Sequence, residues 1–324
     1  MSNDTHATKT PVPSSGRLRA LVPWFALLVL YAITVMIAPG YLKFSQLGSL
    51  LQLATILGIV AVGQTLVILI AGIDLSVGAV MTLANLMSAA LIAGRNENLP
   101  LAILITLAVG AVIGLLNGLV ITLLKVPDLI ATLATMTVVI GVGYLVTNGA
   151  PRGASSPLLN AVMTSRFAGV FTIGTVLWFV VAAIAIVLLR KSTIGRRIYS
   201  VGLNRVASHV SGISVNKTVI GLYITSGLFA SLAGVLLTGY TGSSYLGSGE
   251  AYQLATIAAV VLGGASIFGG YGGYGGTIAG VAITVLLLSI LQVVGIPQAG
   301  QDIVYGAVIL LMLAAFTSHK EAYS

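Results

Sequence analysis

Long apolar runs separated by short polar connections dominate the chain from about residue 20 to residue 316. Ten of them read as membrane spans: 20–38, 50–71, 75–93, 99–124, 129–146, 171–189, 219–240, 251–268, 277–294 and 303–316. Most approach the ~20 residues a helix needs to cross ~30 Å of hydrocarbon. Lipid offers backbone groups no partners, so each segment must satisfy its own N–H and C=O groups, which makes it helical. The pattern predicts an all-α, polytopic transmembrane bundle. The eighth run dissolves into glycines over 263–276 and reads as short or re-entrant. The first run is too long for a typical signal-peptide core, and no A-x-A-like site follows it, so it reads as an uncleaved span. Residues 1–19 and 317–324 flank the 20–316 membrane domain; the first segment is polar and basic and reads as a disordered cytoplasmic tail.

Composition supports this and removes alternatives. The chain is 57% hydrophobic and 7% charged, with a mean hydropathy of +1.08. A soluble domain carries about 25% charged residues, so this chain could not cover a water-facing surface. There is no cysteine, and only His6, His209 and His319 could supply imidazole. Disulfides, thiol nucleophiles and a histidine metal site are therefore not expected, and no cofactor is implied. None of the six lysines follows a G-x-x-x-x-G run, so the chain has no P-loop of its own. No nucleophile–base pair is evident, and an enzyme is not indicated.

The net charge of +8 sits in the connections between apolar runs. That is a topology signal rather than a nucleic-acid patch. With the N-terminus inside, eleven Lys and Arg residues fall on the cytoplasmic side and four outside (Lys43, Arg95, Arg152 and Arg166). The bias predicts both termini in the cytoplasm. Six of the eleven lie in the longest cytoplasmic connection, 190–217.

Runs two to five and seven to ten are each four spans, offset by five, so one set is inverted relative to the other. Glycine-bearing breaks at 71–74 and 263–265 interrupt both sets. Inverted repeats with broken helices are a transporter pattern.

Two segments carry candidate function. In the first, Gly72-Ile73-Asp74-Leu75-Ser76-Val77-Gly78, Gly72 is expected to permit a tight turn and Asp74 to cap the helix that follows. The segment is either a plain cap or part of a substrate pathway or cytoplasmic gate, since a carboxylate near membrane depth is costly unless used. Gln64, Asn85 and Asn117 add polar groups within the spans. They serve either helix–helix hydrogen bonding or a polar pathway. Gly72, Asp74, Ser76 and Gly78 join them as the candidate pathway and gate set. In the second segment, Asn204 is expected to cap a short amphipathic helix through Val206, Ala207 and Val210 that Gly212 ends. Such a helix either meets a partner or lies on lipid headgroups.

These segments resemble the permeases of binding-protein-dependent ABC sugar importers of the ribose, xylose and galactoside type. The resemblance rests on the 72–78 motif, on 195–204 with Ala207, Gly212 and Ile213, and on the run 255–264 with its following glycines. It covers about residues 20–316 and implies a ten-helix permease of the bacterial cytoplasmic (inner) membrane. It also implies three protein partners: a second permease copy or a paralogue, a cytoplasmic ATPase, and an extracellular or periplasmic substrate-binding protein. The family's ATPase-docking positions carry over to Gly202, Asn204, Ala207, Gly212 and Ile213. Ser200 and Ser208 depart from the family's usual alanines, and tyrosines at 271 and 274 stand where it often has Lys or Arg. The rival expectation is an ion-coupled secondary transporter of a small polar solute. That mechanism needs ion-coordinating groups at mid-membrane, whereas Asp74, Asp128 and Asp302 fall at predicted span ends. The scarcity of fixed charge within the spans fits a neutral, sugar-like solute.

Overall fold

The computed structural model describes residues 15–321, with side chains described over 21–311. Each predicted span coincides with a helix: α1 (Ser15–Ile37), α2 (Phe44–Leu69), α3 (Val77–Ile92), α4 (Leu99–Leu123), α5 (Asp128–Thr147), α7 (Ile173–Lys191), α10 (Val215–Thr241), α11 (Glu250–Leu262), α12 (Tyr274–Val293) and α13 (Gln298–Glu321). Short helices α6 (Pro157–Thr164), α8 (Thr193–Leu203) and α9 (Arg205–Val210) lie in the two longest connections. Among the described residues the only β-pairing is an isolated bridge between Phe167 and Phe171. The expected tails extend outside the described residues at 1–14 and 322–324; α1 and α13 take up 15–19 and 317–321.

Among the described residues, six helices (α2, α4, α5, α7, α10 and α12) are long and apolar enough to cross a membrane. The apolar stretch Leu21–Ile37 of α1, and all of α3 and α11, are apolar but shorter. For α3 and α11 the reason is structural: both begin inside the bundle. Asp74, just before α3, bonds to Ser226, which lies eleven residues, or about 16 Å, into α10. At the start of α11, Gly249 packs against Gly78 of α3; a Cβ on Gly78 would lie 2.9 Å from the Gly249 carbonyl oxygen. The two short helices thus meet near their N-termini in the interior.

Helix neighbours recur between the halves. α4 packs on α10 as α12 packs on α2, and α3 contacts α10 as α11 contacts α2. The α3–α5 and α3–α4 pairs are matched by α11–α13 and α11–α12. By this correspondence the counterpart of the 70–76 break is 242–249, between α10 and α11. The glycine stretch 263–273, which holds the interruption expected at 263–265, joins α11 to α12, as 93–98 joins α3 to α4.

Close packing of α4 on α10 depends on Gly110, Gly114 and Gly118, spaced to share one helix face. A Cβ on Gly114 would sit 2.2 Å from the Tyr223 carbonyl oxygen, and one on Gly118 would sit 2.7 Å from the Ile220 Cα. Lipid gives helices little hydrophobic reason to associate, so backbone approach through small residues supplies the contact. The opposite face of α4 exposes Leu101, Leu104, Val112 and Leu116. Such a surface suits lipid and not water.

The connections segregate to two ends. At one end, Tyr199 bonds to Gly272 and Arg205 bonds to Ile70, gathering 190–212, the end of α2 and the 263–273 connection. This is the basic end. At the other, Arg166 bonds to Ser45, Ser49 and Gln52, and Asn96 bonds to Leu158.

Candidate functional site

The α2–α3 turn is a buried polar junction. Asp74 is only 2% exposed. One of its oxygens accepts from the Ser76 N–H (2.9 Å) and hydroxyl (2.6 Å), and the other accepts from the Ser226 hydroxyl (2.7 Å). Asn117 of α4 donates to the Ser76 hydroxyl at 3.0 Å and accepts from Thr135 of α5 at 2.6 Å. Thr132 of α5 accepts from the Leu75 N–H at 3.1 Å. The turn is thereby tied to α4, α5 and α10. Burying a carboxylate is tolerable when its oxygens are saturated with donors in this way.

Two local expectations change. Asp74 does not cap α3; it closes a turn onto Ser76, and Ser76 occupies the N-cap position without a side-chain cap bond. The left-handed residue of the turn is Ala71 (φ 60°), not Gly72. Gly72 is needed for proximity instead: a Cβ there would come within 2.7 Å of an Asp128 carboxylate oxygen and 2.9 Å of the Tyr223 hydroxyl.

The other candidate pathway residues separate. Gly78 lies at the α3–α11 meeting point. Asn85 belongs to the second break, where it donates to Thr238 (2.8 Å) and accepts from the Tyr245 N–H (3.3 Å). Thr82 accepts from the Gly249 N–H at 2.9 Å, so α3 itself holds the 242–249 connection. Gln64 is fully buried in α2 with neither amide atom hydrogen-bonded. Its helical spacing places it on the face of Val60, Ala61 and Ile68, which join the main core.

Between the halves lies a cavity of about 630 Å³, walled by α3, α5, the 245–247 connection, α11 and α13. That volume is ordinary for a small-molecule site. Thr82, Tyr144, Tyr245, Glu250, Gln253 and Asp302 supply its polar and aromatic lining. Of these six only Asp302, as a span-end charge, stands out in the sequence, because the lining comes from four separated stretches that only the tertiary fold unites.

At the basic end, α8 packs its Gly195, Ile198 and Val201 face inward. Gly202 faces the same way: a Cβ there would be 1.9 Å from the Leu69 carbonyl oxygen. Burial pushes the Tyr199 phenol up from its ordinary pKa despite nearby Arg190, which keeps it a neutral donor to Gly272. Asn204 caps α9, accepting from the Val206 and Ala207 N–H groups at 2.9 Å. Gly212, at φ 80°, terminates the turn, with Ile213 N–H bonding back to Ser208. Ala207 and Gly212 are exposed and Ile213 half-buried. Val206 and Val210, the last 82% exposed, form an apolar face that nothing among the described residues covers, with Leu203 at its edge against Gly270. Arg205, on the same short helix, points back into the chain. It pairs with Asp128 at 3.8 Å, the sole ion pair among the described residues, and donates to the Ile70 carbonyl at 3.3 Å.

This arrangement defines a helical membrane protein with a buried polar turn, an internal cleft and a short helix with an exposed apolar face at its basic end. The chain belongs to the family described as "Branched-chain amino acid transport system / permease component", whose profile matches residues 46–315. It is 38% identical over 296 residues to the ribose import permease protein of Escherichia coli strain K12, covering 88% of this chain and 90% of that protein. The corresponding protein of Bacillus subtilis strain 168 is 38% identical over 300 residues, 91% of this chain and 92% of its own. The galactose/methyl galactoside import permease protein of E. coli K12 is 33% identical over 308 residues, 90% and 92% of the two chains. No solved structure matches.

Proposed function

We propose that the chain is the permease subunit of an ATP-driven ABC importer that carries a monosaccharide or related neutral polyhydroxylated solute into a bacterial cell. Likeness to ribose and galactoside import permeases along nine-tenths of their length supports the solute class. The family description names branched-chain amino acids, but the similar permeases named above are sugar importers. The chain has ten crossings in two inverted halves, with the basic end and both termini in the cytoplasm. The excess of Lys and Arg at that end supports the orientation, and the matched helix neighbours support the repeat. The chain's partners are a cytoplasmic ATPase pair, a second permease, and a substrate-binding protein outside.

One observation carries the coupling: α9 exposes Val206 and Val210 outward while Arg205 grips Asp128 and Ile70 inward. The ATPase takes the apolar face, together with Asn204, Ala207, Gly212 and Ile213. Movement of α9 then passes through Arg205 to the start of α5 and to the Asp74 turn. That turn is the inner gate, and the cleft above it is the solute's route. Gly202 acts from within, holding α8 on α2.

Uptake by the reconstituted assembly tests this. Entry of ribose or galactose should require ATP and ignore an uncoupler. Uptake by the lone chain that collapses with the ion gradient and ignores ATP would establish the ion-coupled alternative. The saturation of both Asp74 oxygens by protein donors leaves that carboxylate poorly placed to hold an ion.

A further inference from the structure

The cleft between α3, α5, α11 and α13 has an unbalanced lining. Among the described residues, two carboxylates face it, Glu250 and Asp302, and no Lys or Arg does. Asp302 accepts from the Gln298 amide at 3.0 Å, a neutral partner that leaves its charge in place. Glu250 lies in the first turn of α11, where it more than offsets the half-charge of that helix N-terminus. Asp74 stands likewise just before α3, its carboxylate held by Ser76 and Ser226. The cleft is therefore net negative.

Its other lining groups are as telling. Tyr144 and Tyr245 stand about half exposed at 52% and 50%, offering aromatic faces from α5 and from the second break. Gln253 reaches down to Gly78 at the floor. Carboxylates accept two hydroxyl hydrogen bonds each, an amide both donates and accepts, and an aromatic face packs against the apolar C–H side of a sugar ring.

We propose that this cleft is a binding site for a neutral polyhydroxylated solute, with Glu250, Asp302 and Gln253 taking its hydroxyls and the two tyrosines its C–H face, and that its carboxylates exclude anionic solutes. The solute class rests on the reading above; the site and its charge selectivity do not.

The chain contains no cysteine, so single thiols report without background. Leu254→Cys on α11 and Met136→Cys on α5 place one on each wall. Full-length chain in membrane vesicles would be treated with a cationic or an anionic methanethiosulfonate, and rates normalised to those of a free thiol. Field focusing in the cleft should favour the cation roughly tenfold. Glu250→Gln with Asp302→Asn should abolish that preference. D-ribose or D-galactose in excess should slow labelling, and ribose 5-phosphate should not. No cationic preference at either position, a preference that survives both neutralisations, or labelling indifferent to both sugars overturns the proposal. Failure to find an ATPase partner would count against the importer reading and leave these rates unchanged.

Discussion

Arg205 and Asp128 approach to 3.8 Å across the junction between α9 and the first residue of α5. The arginine side chain is 44% exposed and the aspartate side chain 16%. Exposed pairs contribute little to stability, so the position of this one matters more than its strength. It joins a helix with an uncovered apolar face to a helix that walls the cleft.

Breaking that pair should uncouple more than it unfolds. Arg205→Ala or Asp128→Asn should leave the assembly's ATP hydrolysis near its normal rate and lower uptake per ATP by about fivefold or more, the span of ordinary coupling free energies. The exchanged pair, Arg205→Asp with Asp128→Arg, should recover part of the loss. Parallel measurement of hydrolysis and uptake decides it. Equal loss of both would mean that the pair only supports docking.

The Asp74 junction predicts a stability effect of graded size. Asp74→Ala leaves the buried hydroxyls of Ser76 and Ser226 without their acceptor, at about 1–3 kcal/mol for each unsatisfied group. Asp74→Asn keeps an acceptor oxygen and should cost less. Thermal unfolding in detergent should therefore rank wild type above Asp74→Asn above Asp74→Ala. Equal midpoints for all three would remove the junction from the fold's supports.

Gly114 gives a packing test. Valine there would drive side-chain atoms into the Tyr223 carbonyl. Overpacking of that kind costs about 1–3 kcal/mol and should splay α4 from α10. Gly141 on α5 has open space beside it, and Gly141→Ala should be neutral in the same unfolding assay.

The docking segment separates into an inner and an outer role. Gly202→Val should reduce folded protein, since its Cβ has no room against Leu69. Ala207→Trp should leave folding intact and disturb ATPase attachment, because Ala207 is exposed. Size-exclusion profiles distinguish the two. A monodisperse Gly202→Val chain would return Gly202 to the outer surface.

Much of this was legible in the residues. Apolar runs located every major helix, because burial in lipid demands continuous hydrophobicity. Asn204 and Gly212 announced α9 through its cap and its left-handed end. What escaped depends on tertiary approach. The Gly110–Gly114–Gly118 face looks like any glycine-rich span until α10 lies against it. Gly72 and Gly202 looked like turn and docking residues, and their place follows from what stands opposite. The glycines of 263–265 mark the turn after α11, whereas 242–249, the counterpart of the 71–74 break, carries no comparable signal and is held by bonds to Thr82 and Asn85. α8 is not legible as an apolar run because its inward residues Gly195, Ile198 and Val201 alternate in sequence with outward ones such as Arg196 and Arg197.

Val206 and Val210 of α9 are expected to meet a soluble ATPase. The most direct measurement is co-purification of the tagged full-length chain, in mild detergent, from cells expressing its complete transport system. Wild type should retain an ATPase subunit, and Val206→Glu with Val210→Glu should lose it while remaining folded. Retention of the ATPase by that variant, or its absence from wild type, would rule out docking on α9.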